Sequence, residues 1–209
     1  MHPNPIFRGE AAERNLGFAR ERGFGMLAVG AADAAPMLSH VPFLLAEDGA
    51  EAELHLVRSN PIARACKAAM PARIAVNGPD SYISPDWYGV EDQVPTWNYV
   101  AVHLVGRLEP LPLDRLWDIL NRQSALFEER LLPKPPWSTD KMTPEVLDRM
   151  MRMIAPFRFV VDKIDGTWKL GQNKTDAVRD RAAGGVAAYG QGQEIAALSA
   201  LMWGVDKDA

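Results

Sequence analysis

The chain has 209 residues, 47% hydrophobic and 24% charged, with a net charge of −4. That length admits one large or two small domains, with a core burying roughly 70% of the surface an unfolded chain exposes, so general disorder is excluded. The acidic balance disfavours a broad phosphate-binding surface and makes direct nucleic-acid binding doubtful, and no apolar run is long enough to span a bilayer.

At the N-terminus, "MHPNPIFRGE" lacks the apolar segment of a signal peptide. Cys66 is the single cysteine, so no intramolecular disulfide forms and a reducing, cytoplasmic home is expected. "GEAAERNLGFARERG" places Ala12, Leu16 and Ala19 on one helical face, with Gly23 as the stop. "GMLAVG", the turn-rich "AADAAP" and "MLSHVPFLLA" predict a hairpin whose second strand is pushed to an edge or bulge by Pro42. "AELHLV" is a third strand, and it runs into "RSNPIARACKAAM". There Asn60 suits an N-cap and Pro61 the first helical position.

"ARIAVNGPDSYIS" predicts a fourth strand running into a turn, and "PDWYGVEDQ" a polar loop. "VPTWNYVAVHLVGRL" then supplies a long fifth strand. A helix is expected from about Leu113 to Leu132, its apolar face carrying Leu113, Trp117, Leu120, Phe127 and Leu131. "TPEVLDRMMRMI" begins another helix, with Met150, Met151 and Met153 as core filler. "FRFVVDKI" alternates like a sixth strand, which "DGTWKLGQNK" ends. After Asn173 the pattern weakens into a mobile stretch, and a terminal helix around "EIAALSALMW" follows. The expected organisation is a domain over 1–173 and a tail over 174–209. Strands outnumber helices without βαβ alternation, which predicts a mainly β (α+β) fold, an antiparallel barrel with peripheral helices.

There is no CxxC, HExxH, P-loop or GxSxG. His2, His40, His55 and His103 share no short metal-ligand spacing, so no metal centre is expected. His55 and His103 read as satisfied strand histidines, Cys66 as a small buried residue, and Glu128 with Glu129 as a solvated face.

Three stretches ask for more. "VRSNP" sets Arg58, Ser59 and Asn60 at a strand end before a helix, where cation, donors and dipole could hold an anion. An N-cap with a surface arginine accounts for the same residues. Thr96, Trp97 and Asn98 join polar groups to a flat ring and suit a planar heteroaromatic ligand; a tryptophan plugging a barrel end is the other reading. Lys169, Gln172 and Asn173 surround a glycine that permits close approach, or form a plain turn.

Taken together, "FGMLAV", "SHVPFLL", "LHLVRSNP", "NGPDSYISPDWY", "VPTWNYVAVHLVGRL" and "KLGQN" resemble, in order, the PaiB-type family of FMN-binding negative transcriptional regulators. The chain departs from that pattern at Gly171, where the family usually has a serine, and at Val57 and Ser59. The resemblance implies an FMN-binding split barrel and a homodimer with the flavin between subunits. By it, Arg58, Ser59, Asn60 and Arg64 would hold the phosphate, and His40 would flank the ring system. Trp97 and Asn98, with Thr96 beside them, would approach the flavin's polar edge, while Lys169, Gln172 and Asn173 would close the pocket from the partner subunit. The implied function is negative regulation, acting indirectly because no helix-turn-helix or basic recognition surface is visible. The alternative is an FMN-dependent oxidoreductase, a flavin reductase or small-molecule oxidase. Haem handling is a third reading, with His103 a distant candidate for the axial ligand.

Overall fold

The computed structural model describes residues 1–31 and 34–205. In chain order its main elements are α1 (Ala12–Arg22), β1 (Phe24–Ala31), β2 (Ala34–Pro42), β3 (Leu44–Leu45), β4 (Glu51–Val57), α2 (Pro61–Ala65) and β5 (Met70–Ile83). There follow β6 (Thr96–Pro110), α3 (Arg115–Glu129), α4 (Pro144–Met151), β7 (Ile154–Lys169), α5 (Asp176–Tyr189) and α6 (Ile195–Gly204). Among the described residues the strands form one antiparallel sheet of order β2-β1-β5-β6-β7-β4-β3, and the class is α+β as expected.

The hairpin is present: β1 and β2 pair with Met26 opposite His40 and Leu27 opposite Ser39. Its turn, at residues 32–33, lies outside the described residues. β2 sits at one end of the sheet and stops at Pro42, where a missing N–H costs no ladder bond.

By its contacts the chain divides into two compact units, one of Leu16–Val76 and Leu104–Ile164, the other of Met1–Asn15, Asn77–His103 and Asp165–Ala209. The first has a core of Leu27, Val29, Val41, Phe43, Leu54, Ile74, Leu104, Phe157 and Phe159, supplied by alternate positions along its strands. Gly106 lets β6 and β7 close up, since a Cβ there would lie 1.9 Å from the Val160 carbonyl oxygen. α3 lies on β4, but not on the face its periodicity predicted. Leu116, Ile119 and Gln123 are buried, whereas Trp117 is half exposed, and Leu113 and Leu131 fall outside the helix in solvent. β4 presents polar groups to this helix. The buried Glu53 accepts hydrogen bonds from Arg115 at 2.7 Å and from Arg122, and His55 meets Gln123. Pairing those groups sets the helix's rotation. Met150 and Met153 are exposed and Met151 is half-buried, so the three are not core filler; α4 buries none of its residues, and Met153 follows it in the turn before β7.

In the second unit Asn15 is buried and accepts the indole N–H of Trp168 at 2.9 Å, with Arg14 stacked on the same ring. The stretch expected to be mobile after Asn173 holds the 14-residue helix α5. Its inward positions are Arg179, Ala182, Ala183 and Val186, so no large-residue stripe marks it in the sequence. Arg179 is buried and donates to the carbonyls of Met202 (3.1 Å) and Val205 (3.3 Å), tying α5 to α6. The loop between these helices lies along β5: Asp80 and Tyr82 donate backbone N–H bonds to Gln193 and Gln191, each at 3.0 Å. Among the described residues no helix is long and apolar enough to cross a membrane, and no His, Cys, Asp or Glu cluster could hold a metal ion.

Candidate functional site

The first unit holds Arg58, Ser59, Asn60 and Arg64 at the corner where β4 gives way to α2. The corner is anchored by backbone and amide bonds. The Arg58 N–H donates to Met153 at 2.8 Å, and its Nε donates to the Arg152 carbonyl at 2.8 Å. Asn60 is the N-cap: its Oδ1 accepts the Ile62 N–H at 2.9 Å, and its Nδ2 donates to the Ser39 hydroxyl at 3.0 Å. Pro61 takes the first helical position, as Asn60-Pro61 predicted.

α2 is only five residues long, and the N–H groups of Ile62 and Arg64 are already bonded to Asn60. Little of the expected helix-terminus contribution is therefore open to a ligand. What stays open belongs to side chains. The outer nitrogens of Arg58, the Ser59 hydroxyl and the Arg64 guanidinium are exposed and make no hydrogen bond or ion pair among the described residues. Two cations and a hydroxyl without carboxylate partners are a donor set suited to a phosphoryl group. The Ser39–Asn60 bond ties this corner to β2, whose next residue is His40. The His40 ring is exposed and stacks on Phe24, centroids 6.3 Å apart.

The second unit holds the other set. Strand alternation along β6 turns Trp97 outward, 48% exposed, and Asn98 inward, 1% exposed. The Asn98 amide faces the Met202 sulfur at 3.6 Å, so it is engaged within the protein. The Trp97 ring meets Tyr82 edge-on at 6.4 Å. Lys169 donates from its amine to the Trp97 carbonyl at 2.8 Å and to the Thr96 hydroxyl, 5.9 Å from the centre of the Phe7 ring. Burial pulls its pKa below the usual lysine value. Gln172 folds back on its own strand, donating to the Trp168 carbonyl and accepting the Leu170 N–H at 2.8 Å. Gly171 takes φ +90° to make that turn, and Asn173 stays exposed.

Beside Trp97 is a cavity of about 260 Å³ lined by Asn77, Gly78, Asp80, Trp97, Tyr99, Val100 and Ala101. Asn77, Asp80 and Tyr99 were not singled out from the sequence. "NGPD" reads as a turn, yet it lies inside β5, with Gly78 and Pro79 both buried. That double-buried step shifts the alternation, so Asn77 and Asp80 are both left accessible. Tyr99 could have been found from its place two residues beyond Trp97 on a strand.

Three comparisons bear on this arrangement. A family model described as "Putative FMN-binding domain" matches residues 1–163. The "Protease synthase and sporulation protein PAI 2" of Bacillus subtilis (strain 168) is 31% identical over 178 residues, 84% of each chain. Among solved structures, the FAD and haem binding protein from Mycobacterium smegmatis aligns over 89% of this chain and 82% of its own, at 16% identity and TM-score 0.56. The conserved hypothetical protein Rv2991 from Mycobacterium tuberculosis aligns over 80% and 89%, at 14% identity and TM-score 0.51. At such identities the structural likeness speaks for the fold alone, the split barrel expected from the sequence.

Proposed function

The chain belongs to the family described as "Putative FMN-binding domain" and takes FMN as its cofactor; on that premise we propose that Arg58, Ser59 and Arg64 bind the FMN phosphate. The observation that carries this is the exposed, carboxylate-free pair of arginines beside a hydroxyl at the end of β4. A phosphate with about −1.5 to −2 charges is matched by two guanidinium groups and an O–H donor. Asn60 shapes the corner through its cap, and His40 flanks the ring system from the adjoining strand.

Thr96, Trp97, Asn98, Lys169, Gln172 and Asn173 are proposed as the ring-side residues of a flavin shared at the interface between the two subunits of a homodimer. Trp97 offers a flat apolar wall. Lys169, its amine held by the Trp97 carbonyl and the Thr96 hydroxyl, would add a partly desolvated positive charge, and Asn173 an exposed amide with no partner among the described residues. Asn98 and Gln172 act by fixing the strand and the turn that present the others. Bound FMN supplies the electron and hydride chemistry, so few catalytic side chains are required of the protein.

The reading this supports is an FMN-binding split-barrel protein of the PaiB type, acting in negative regulation indirectly. A cytoplasmic homodimer is part of the proposal. β2 is an edge strand, and Phe24 and Leu38 leave apolar area at 52% and 59% exposure for a second copy. The flavin-binding part is taken as 1–173. A second reading, an FMN-dependent oxidoreductase, is favoured by the cavity beside Trp97, which has room for a small reactant. The visible spectrum of the purified protein, with the released cofactor identified by mass, tests the first reading: FMN is expected, and failure to take up added FMN overturns it. Rapid mixing of the FMN-loaded protein with NADH or NADPH tests the second, which fails if the flavin is not reduced.

A further inference from the structure

We propose that the cavity beside Trp97 is a binding site for an organic cation, a primary or quaternary amine carried on a compact apolar body. Trp97, Tyr99 and Ala101 follow one another at two-residue spacing along β6, so they share one face of the strand. Two aromatic side chains therefore line the cavity, and the π surfaces of such rings attract ammonium groups. Asp80 is the one charged side chain among the described residues lining the cavity.

That carboxylate is held in place. Its Oδ1 accepts the Gln193 N–H at 3.0 Å, while the Asp80 N–H donates to the Gln193 carbonyl at 3.0 Å. Oδ2 has no hydrogen-bond or ion-pair partner among the described residues and is left for a ligand. Asn77 adds a neutral amide at the rim. The Lys169 amine is committed to the Trp97 carbonyl and the Thr96 hydroxyl. An anion would meet Asp80 without a cation to offset it. A neutral aromatic would leave the carboxylate unmatched. An amine satisfies both the carboxylate and the rings. At about 260 Å³ the space is below the ~300–1,000 Å³ of sites for drug-sized molecules, so the ligand is small.

The proposal shares Trp97 with the flavin reading but does not rest on it. The test titrates the full chain with choline and with its uncharged isostere, 3,3-dimethylbutan-1-ol, following backbone and indole N–H signals by NMR. Choline is expected to bind about tenfold more tightly than the alcohol. Asp80→Asn keeps the acceptor for Gln193 and removes the charge, and is expected to bring the two ligands within about twofold. Trp97→Leu, at an exposed position, is the second variant and is expected to lose choline binding. Equal binding of the two ligands by the native chain overturns the proposal. So does a charge preference that survives Asp80→Asn or Trp97→Leu. An FMN titration of Asp80→Asn runs alongside, with native affinity expected. A chain that takes no FMN yet prefers choline defeats the flavin reading and leaves this one standing.

Discussion

The Nε–H of Arg58 donates to the backbone carbonyl of Arg152 at 2.8 Å, which pins the stem of the side chain and leaves the outer guanidinium nitrogens to solvent. An arginine held this way is ordered before any ligand arrives, so little side-chain entropy is lost on binding. Arg58→Ala is expected to weaken FMN binding about 10–100-fold, from the loss of one or two charge-assisted hydrogen bonds. Because Arg58 is exposed, loss of its bond to Arg152 should cost no more than about 1 kcal/mol of stability, and the fold should remain intact. Arg58→Lys should fall between the two, since an ammonium lacks the fork. Quenching of flavin fluorescence reads the affinity, and a native value in Arg58→Ala would reject the phosphate assignment.

Asn60 separates architecture from ligand binding. Asn60→Ala removes the cap to Ile62 and the bond to Ser39, and should cost about 1 kcal/mol of stability. Asn60→Asp keeps the capping oxygen, so it should stay closer to native stability while placing a negative charge beside Arg58 and Arg64. FMN binding should therefore fall more in Asn60→Asp than stability does. Thermal unfolding and flavin titration on both variants check this ordering, and parallel losses would count against it.

Gly171 has φ +90°, a region in which L side chains are strained. A Cβ there would sit 3.4 Å from the Arg179 Cγ, an ordinary contact, so backbone strain alone sets the cost. Gly171→Ser should lower stability by about 1–2 kcal/mol. Urea unfolding measures it; a serine that leaves stability unchanged would mean that the turn relaxes into another conformation.

Local chemistry was the legible part of this chain. Asn60-Pro61 announced a cap and a helix start, Pro42 announced an edge, and the alternation of β1 and β6 announced strands. Features set by distant partners were not legible. The inward face of α3 follows Glu53 and His55 on β4, which its own periodicity does not encode. α5 is held by small residues and a buried arginine, so it shows no hydrophobic stripe. The same holds at the candidate site. The residue types of "VRSNP" and "VPTWNY" pointed to it, but strand phase decided that Trp97 faces out and Asn98 in. Asp80 was hidden because Gly78-Pro79 looks like a turn and is in fact an interior step of β5.

His55 gives a pH dependence of stability. Burial holds its pKa below 6.5, with the Gln123 side chain opposing in part. A lowered folded-state value means that the unfolded chain binds the proton first as pH falls. The contribution of neutral His55 is complete above its unfolded pKa and declines as pH drops through that value, levelling off below the folded pKa. His55→Gln should abolish this portion. The stability gap between native chain and variant, from urea unfolding at about pH 7.5 and about pH 5.5, should shift with pH. A gap that stays constant would show that His55 is not the titrating group.

Flavin recognition through the phosphate is the central claim, so the deciding measurement is a paired titration of the native chain with FMN and with riboflavin, which share the ring and differ in the phosphate. FMN should bind at least about 100-fold more tightly at moderate ionic strength, and the margin should shrink as salt is raised. Equal affinity for the two flavins, at any salt, would contradict it.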